Sequence, residues 1–173
     1  MAYSHVLGAA NGPAAARVMF VGEAPGRHGA GKSGVPFLGD ESGRRFESLL
    51  AEAGLSRDEV FVTNAVLCNP LHANGNNRRP KASEVKRCLP HLRGQIEAVD
   101  PAFVVALGEV ALSALGRLEP HNLRLRDAGV APVPWLNRRL LALYHPGRRA
   151  LVHRGDELQR QDWRALGALV GEV

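Results

Sequence analysis

Four short apolar runs, each closed by a loop signal, constrain this chain more than any other feature. They are RVMFVG (Arg17–Gly22), VFVTNAVL (Val60–Leu67), FVVALG (Phe103–Gly108) and LLALY (Leu140–Tyr144). Each is apolar nearly throughout instead of alternating, which is the pattern of strands buried on both faces. Helical spacing recurs between them. Phe46, Leu49, Leu50 and Ala53 precede Gly54, a helix stop. Val85, Cys88, Leu89, Leu92 and Ile96 share one face behind a cap at Ser83, with Pro90 expected to kink or restart that helix. A short helix follows at Glu109–Leu115, and Trp163, Leu166 and Val170 mark a closing one. The segment from Val133 reads as a hairpin turning at Asn137–Arg138 into the fourth core strand. The alternation predicts an α/β fold: a three-layer α/β/α sandwich around a four-stranded, mainly parallel sheet. With 173 residues and no repeat or linker, a single domain over residues 1–173 is expected.

In open sheets of this kind, ligands collect beyond the carboxyl ends of the strands. The chemistry is therefore sought in residues 23–37, 64–70, 145–154 and from 108 onward. Twenty-two Lys and Arg against 17 Asp and Glu give a net charge of +5. A basic surface suits a polyanionic partner, because basic side chains release counterions from a phosphate backbone. Arg78, Arg79 and Lys81 form one basic cluster, and Arg148, Arg149 and Arg154 another. No apolar run approaches the roughly 20 residues of a membrane span, and no basic-then-apolar leader opens the chain, so a cytoplasmic protein without membrane contact is expected. Gly26, Gly31, Lys32 and Ser33 match a phosphate-binding loop by spacing. A working loop of that type leads straight into a helix, whereas here Gly34 and Pro36 follow. The match is a decoy.

Six segments in order, VMFVGEAPG, GVPFLGDESG, VFVTNAVLC, PKASEVKRCLPHL, VVALG and YHP, resemble the uracil-DNA glycosylase superfamily. The likeness runs from Arg17 to Arg154 and is closest to the microbial families four and five. GEAPG, with Glu23 and Ala24, and TNAV, with Asn64, resemble family four. RHGAGKSGVPFLGDESG, with His28 and Asp40, resembles family five. Family four usually has no acid at the Asp40 position and family five commonly lacks Asn64, so the branch and the substrate range stay open. The resemblance implies hydrolytic removal of uracil from DNA, with other deaminated bases as further candidates. The base is flipped into a pocket and an abasic site is left. It implies a base pocket at Glu23, Ala24, His28, Phe37 and Asn64, and the two basic clusters offer DNA contacts from Arg78, Arg79, Arg148, Arg149 and Arg154. Leu151 becomes the apolar wedge that fills the gap in the duplex.

Each central residue also has a plainer reading. Phe37 offers an aromatic face to a flipped pyrimidine, or is core. Asn64 carries an acceptor and donors on one planar amide that match uracil N3–H and O4 and mismatch cytosine, or it forms a turn after its strand. His145 can donate to uracil O2 as charge leaves with the base, or cap backbone groups. Asp40 can stabilise the sugar cation or orient water, or serve as the N-cap of the helix that follows. Should Asp40 be only a cap, Asn77 or backbone near Glu23 is left to place the water.

Most members of families four and five carry four cysteines on a [4Fe–4S] cluster. Cys68 and Cys88 stand at the later two positions, and they are the only cysteines in the chain. Two thiolates do not complete a four-ligand cluster, so no cluster is expected, and no metal or organic cofactor for the reaction. A monomer acting on uracil-containing DNA is the resulting expectation. A superfamily member that only binds DNA or a repair partner, and a nucleotide-binding α/β protein, are the alternatives.

Overall fold

Strand β1 (Val18–Gly22) is buried at every residue in the computed structural model, which describes residues 5–127 and 131–172. It lies between β2 (Val60–Asn64) and β3 (Phe103–Leu107), parallel to both. β3 also pairs in parallel with β5 (Arg138–Leu143), and β4 (Val133–Trp135) closes the edge antiparallel to β5. The order is β2-β1-β3-β5-β4, one sheet of five strands. The fifth strand is the first arm of the expected hairpin, which joins the sheet although it offers no apolar run. Its turn falls at Leu136–Asn137, one residue early, because those two residues hold the positive φ values of 45° and 58° that a two-residue hairpin turn requires.

Alternation along β1 decides the layers. Val18 and Phe20 face one core and Met19 and Val21 the other. The first core is covered by α2 (Glu41–Glu52) and α5 (Asp156–Gly171), through Phe46, Leu49, Leu50, Trp163 and Leu166. Phe20 stacks on Trp163 at 5.1 Å and meets Phe46 edge-on at 5.5 Å, a geometry that adds to plain burial. The second core is covered by α3 (Ala82–Val99) and α4 (Glu109–Leu118), through Val85, Leu92, Ile96, Ala111 and Leu115. The fold is a three-layer α/β/α sandwich.

Two helix expectations shift. α3 starts at Ala82 instead of behind Ser83, because Glu84 reaches back to the Lys81 amide at 2.7 Å. It also runs through Pro90 without restarting. Pro90 and Lys86, whose carbonyl loses its partner there, both lie on the exposed side, open to solvent. α1 (Ala30–Ser33) is one turn, and Gly34 ends it with φ of 73°. The lysine and serine of the decoy loop thus sit inside a helix that is already stopping.

The outer flank of β2 is met by the segment before β1, where the Asn11 side chain donates to the Val62 carbonyl at 2.8 Å. At the opposite flank, β4 is three residues long and its middle residue is the exposed Pro134. α5 approaches α2 closely: a Cβ on Gly167 would stand 2.1 Å from the Ala53 carbonyl oxygen. Gly167→Ala should therefore push the helices apart and cost about 1–3 kcal/mol. For a chain of this size that lowers the thermal midpoint by roughly 2–4 °C per kcal/mol. Calorimetry of the variant tests the contact, and a midpoint equal to the parent's would refute it.

Candidate active site

β1, β2, β3 and β5 end on the same side, and a cavity of about 600 Å³ opens beyond them. Its walls come from the loops after these strands and from the start of α2. Glu23, Ala24, Phe37, Asp40, Asn64 and His145 all line it, as do Asn77, Arg78, Arg79, Arg148 and Arg149. Three predicted residues do not. His28 is exposed, and Leu151 and Arg154 are half-buried, all three outside the lining.

Gly22 and Asn64 are register partners at the ends of β1 and β2. A Cβ on Gly22 would stand 2.5 Å from Asn64 Oδ1 and 2.8 Å from the Phe37 ring, so the missing side chain lets both groups close on one spot. Phe46 backs the Phe37 ring at 4.9 Å, and the His145 ring stands 5.5 Å from it. Asn64 is 3% exposed, and among the described residues no group hydrogen-bonds its amide. That leaves the amide's donors and acceptor for a ligand.

Asp40 uses its two oxygens differently. Oδ1 accepts from the Gly43 amide at 2.9 Å, so the helix-cap reading holds. Oδ2 lies against the loop from Gly26 to Gly29, where it would stand 2.4 Å from a Cβ on Gly29 and 3.2 Å from one on Gly26, with Asn77 Nδ2 at 3.6 Å from the latter point. A carboxylate oxygen and an amide nitrogen thus flank one bare stretch of backbone at the cavity wall. Asn77 is held by its own acceptor, Oδ1, which takes the Arg27 amide at 3.0 Å.

The Gly147 amide donates to His145 Nδ1 at 2.8 Å. A neutral imidazole with Nδ1 accepting carries its proton on Nε2, so the ring is a donor at that atom. Burial pushes the His145 pKa down from 6.5 to about 4, against a smaller upward pull from Asp40. Glu23 moves the other way: burial raises its carboxyl, and Arg79 and Arg149 partly offset the rise.

Two arginines read as DNA contacts are engaged inside the protein. Arg78 pairs with Glu84 at 2.5 Å, and Arg154 pairs with Asp162, whose side chain is 7% exposed, at 2.6 Å. Arg79, Arg148 and Arg149 are exposed. Arg148 meets Glu41 at 3.0 Å, with both side chains more than half exposed. In the same segment Val152 is 86% exposed and is the apolar side chain that projects. Tyr144, Asn69 and Leu125 also line the cavity and carry no sequence signal of their own.

Cys68 and Cys88 are half-buried free thiols. Burial raises the Cys68 pKa, with further upward pushes from Cys88 and Glu84. Among the described residues no cluster of three or more His, Cys, Asp or Glu could hold a metal. A donor set of two thiols does not fit a [4Fe–4S] cluster.

The model of the uracil DNA glycosylase superfamily matches residues 9–167. The chain belongs to the uracil-DNA glycosylase superfamily. A type-4 uracil-DNA glycosylase of Thermotoga maritima is 35% identical over 145 residues, covering 83% of this chain and 71% of the relative. The type-4 enzyme of Archaeoglobus fulgidus is 34% identical over 164 residues, or 91% and 78% of the two chains. A type-5 enzyme of Pyrobaculum aerophilum is 38% identical over 151 residues, or 76% and 61%. The likeness to both types agrees with the mixed motifs. No described helix is long and apolar enough to cross a membrane.

The depressed pKa of His145 has a measurable sign. Between 6.5 and about 4 the unfolded chain binds a proton that the folded glycosylase domain refuses. The contribution of this group is complete above pH 6.5 and is lost as pH falls toward 4. His145→Gln should flatten the fall in urea midpoint over that window. An unchanged slope would mean that the ring titrates normally.

Proposed function

We propose that the protein hydrolyses the N-glycosidic bond of uracil in DNA, with the base flipped into the cavity. The observation that carries this reading is the convergence of an aromatic ring, an uncommitted amide and a neutral imidazole N–H on one pocket. Uracil stacks on the face of Phe37 opposite Phe46, a contact of about 1–3 kcal/mol. The Asn64 amide pairs with N3–H and O4. His145 Nε2–H meets O2, where negative charge collects as C1′–N1 breaks. A neutral donor suits that task because it stabilises the oxyanion without becoming a cation in a dry site. Water held between Asp40 Oδ2 and Asn77 Nδ2 attacks C1′ and passes a proton to the carboxylate. The departing uracil anion takes up one proton and the carboxylate releases the one it gained, so the products are free uracil and an abasic sugar. Arg79, Arg148 and Arg149 take phosphates. Leu151 or the projecting Val152 fills the gap in the stack.

A uracil-containing oligonucleotide, treated with the protein and then alkali, tests the activity. Absence of strand cleavage, with binding to an abasic duplex retained, would favour a member that only binds DNA. Affinity for free nucleotide would favour the nucleotide-binding alternative. His145→Ala should lower the single-turnover rate by about 10²–10³ with little change in DNA affinity. Asp40→Asn keeps an acceptor for the Gly43 amide and deletes the charge. It should slow excision without lowering the thermal midpoint, and a parent rate would confine Asp40 to capping.

The reaction as written needs no cofactor. We infer two reduced thiols and no iron–sulfur cluster, in a monomer working in the cytoplasm. The donor set of two thiols supports the absence of a cluster. Purified protein should hold no stoichiometric iron or acid-labile sulfide, and finding both would overturn the inference.

A further inference from the structure

His145 depends on a bond it does not control. Its Nδ1 takes the Gly147 amide, and that N–H belongs to the same planar peptide unit as the Pro146 carbonyl. The two groups point opposite ways across one rigid plane, so whatever holds the oxygen also aims the N–H. The oxygen is held by Arg45, whose Nε donates to Pro146 O at 3.0 Å from the middle of the second helix. The guanidinium is itself fixed on two further sides. Nη1 meets Asp156 at 2.5 Å and Nη2 donates to Gln159 Oε1 at 3.0 Å. Gln159 is 1% exposed, and its Nε2 donates to the Arg154 carbonyl at 2.8 Å.

The chain of contacts therefore runs from Pro146 O through Arg45 and Gln159 to Arg154 O, and grips both ends of the segment that carries the exposed arginines. Among the described residues, the main-chain bonds of that segment stay inside it: Ala150 N–H to Gly147 O, and His153 and Arg154 N–H to Ala150 O. The Arg148–Glu41 pair is exposed on both sides and holds it weakly. External placement of the segment falls to the grip of Arg45 and Gln159, and Arg154 adds its own pair with Asp162.

We propose that Arg45 and Gln159 are positioning residues for His145: they orient the Pro146–Gly147 peptide so that Nδ1 stays an acceptor and the proton stays on Nε2. This rests on the excision reading, in which Nε2–H faces the leaving base. Neither residue touches the cavity. Their effect passes through a backbone plane, and Arg is the side chain whose planar fork can meet three acceptors at once.

The test uses Arg45→Met, which keeps the aliphatic stem and removes the donors. Gln159→Leu and the double variant complete a cycle. Single-turnover excision should fall roughly ten- to hundredfold, as expected for a misplaced catalytic group. Affinity for an abasic-site duplex should stay within about twofold. Nitrogen-15 spectra of the His145 ring supply a second readout. The parent should show Nδ1 unprotonated and Nε2 protonated, and Arg45→Met should show the two averaged by tautomer exchange. The double variant should be little slower than either single one. If Arg45→Met does not fold, Arg45→Lys is read the same way, because it keeps the charge beside Asp156 but lacks the fork. A folded variant at the parent rate, a ring tautomer unchanged from the parent, or additive losses in the cycle would each overturn the proposal. Should the parent itself fail to excise uracil, the excision reading falls, while the ring spectra still decide whether Arg45 sets the tautomer.

Discussion

The pairing of Gly22 with Asn64, at the carboxyl ends of β1 and β2, is the point on which the pocket hangs. Parallel strands in register end level, and the bare Gly22 lets an amide and an aromatic ring approach where any side chain would hold them off. The Ala65 amide bonds the Gly22 carbonyl at 2.8 Å and the Val66 amide bonds the Glu23 carbonyl at 3.1 Å, so the pairing continues past the strand ends. Phe37 is held with φ of 51°, a strained conformation for a bulky residue. It persists because Phe46 packs against the ring.

Around that point the ionisable groups divide by environment. Burial lowers the pKa of His145, whereas Asp40 anchors a helix with one oxygen and sets the other against the Gly26 backbone at the cavity wall. The cap and the catalytic reading of Asp40 are therefore compatible. A helix start capped by a carboxylate also fixes that carboxylate in space, and the second oxygen inherits the precision of the first.

Much of this was legible in the chain. Four strands declared themselves because a strand buried on both faces must be apolar throughout, as VMFV and FVVAL are. β4 did not, since three residues with a central proline carry no such pattern. The cavity residues at or just past strand ends, Asn64 and His145, could be found because strand ends are visible. The place of His28 outside the cavity depends on the path of a loop, which composition does not encode. Arg78 and Arg154 read as free basic charge, and only the folded chain brings Glu84 and Asp162 onto them. Arg45 was silent for a stronger reason: its partner at Pro146 is a backbone carbonyl 101 residues away, and every residue has one.

The two flanks of the sheet carry a consequence of their own. An unpaired strand edge is a template on which another chain can add a strand, and exposed apolar edges are the most inviting templates. Here an incoming strand would meet a carbonyl already taken by Asn11 on the β2 side, and a proline without an amide on the β4 side. Both ladders are blunted by single residues, in segments that lie outside the pocket. The residues that keep neighbouring copies from zipping together are thus separate from those that handle the ligand, and either set can change without touching the other.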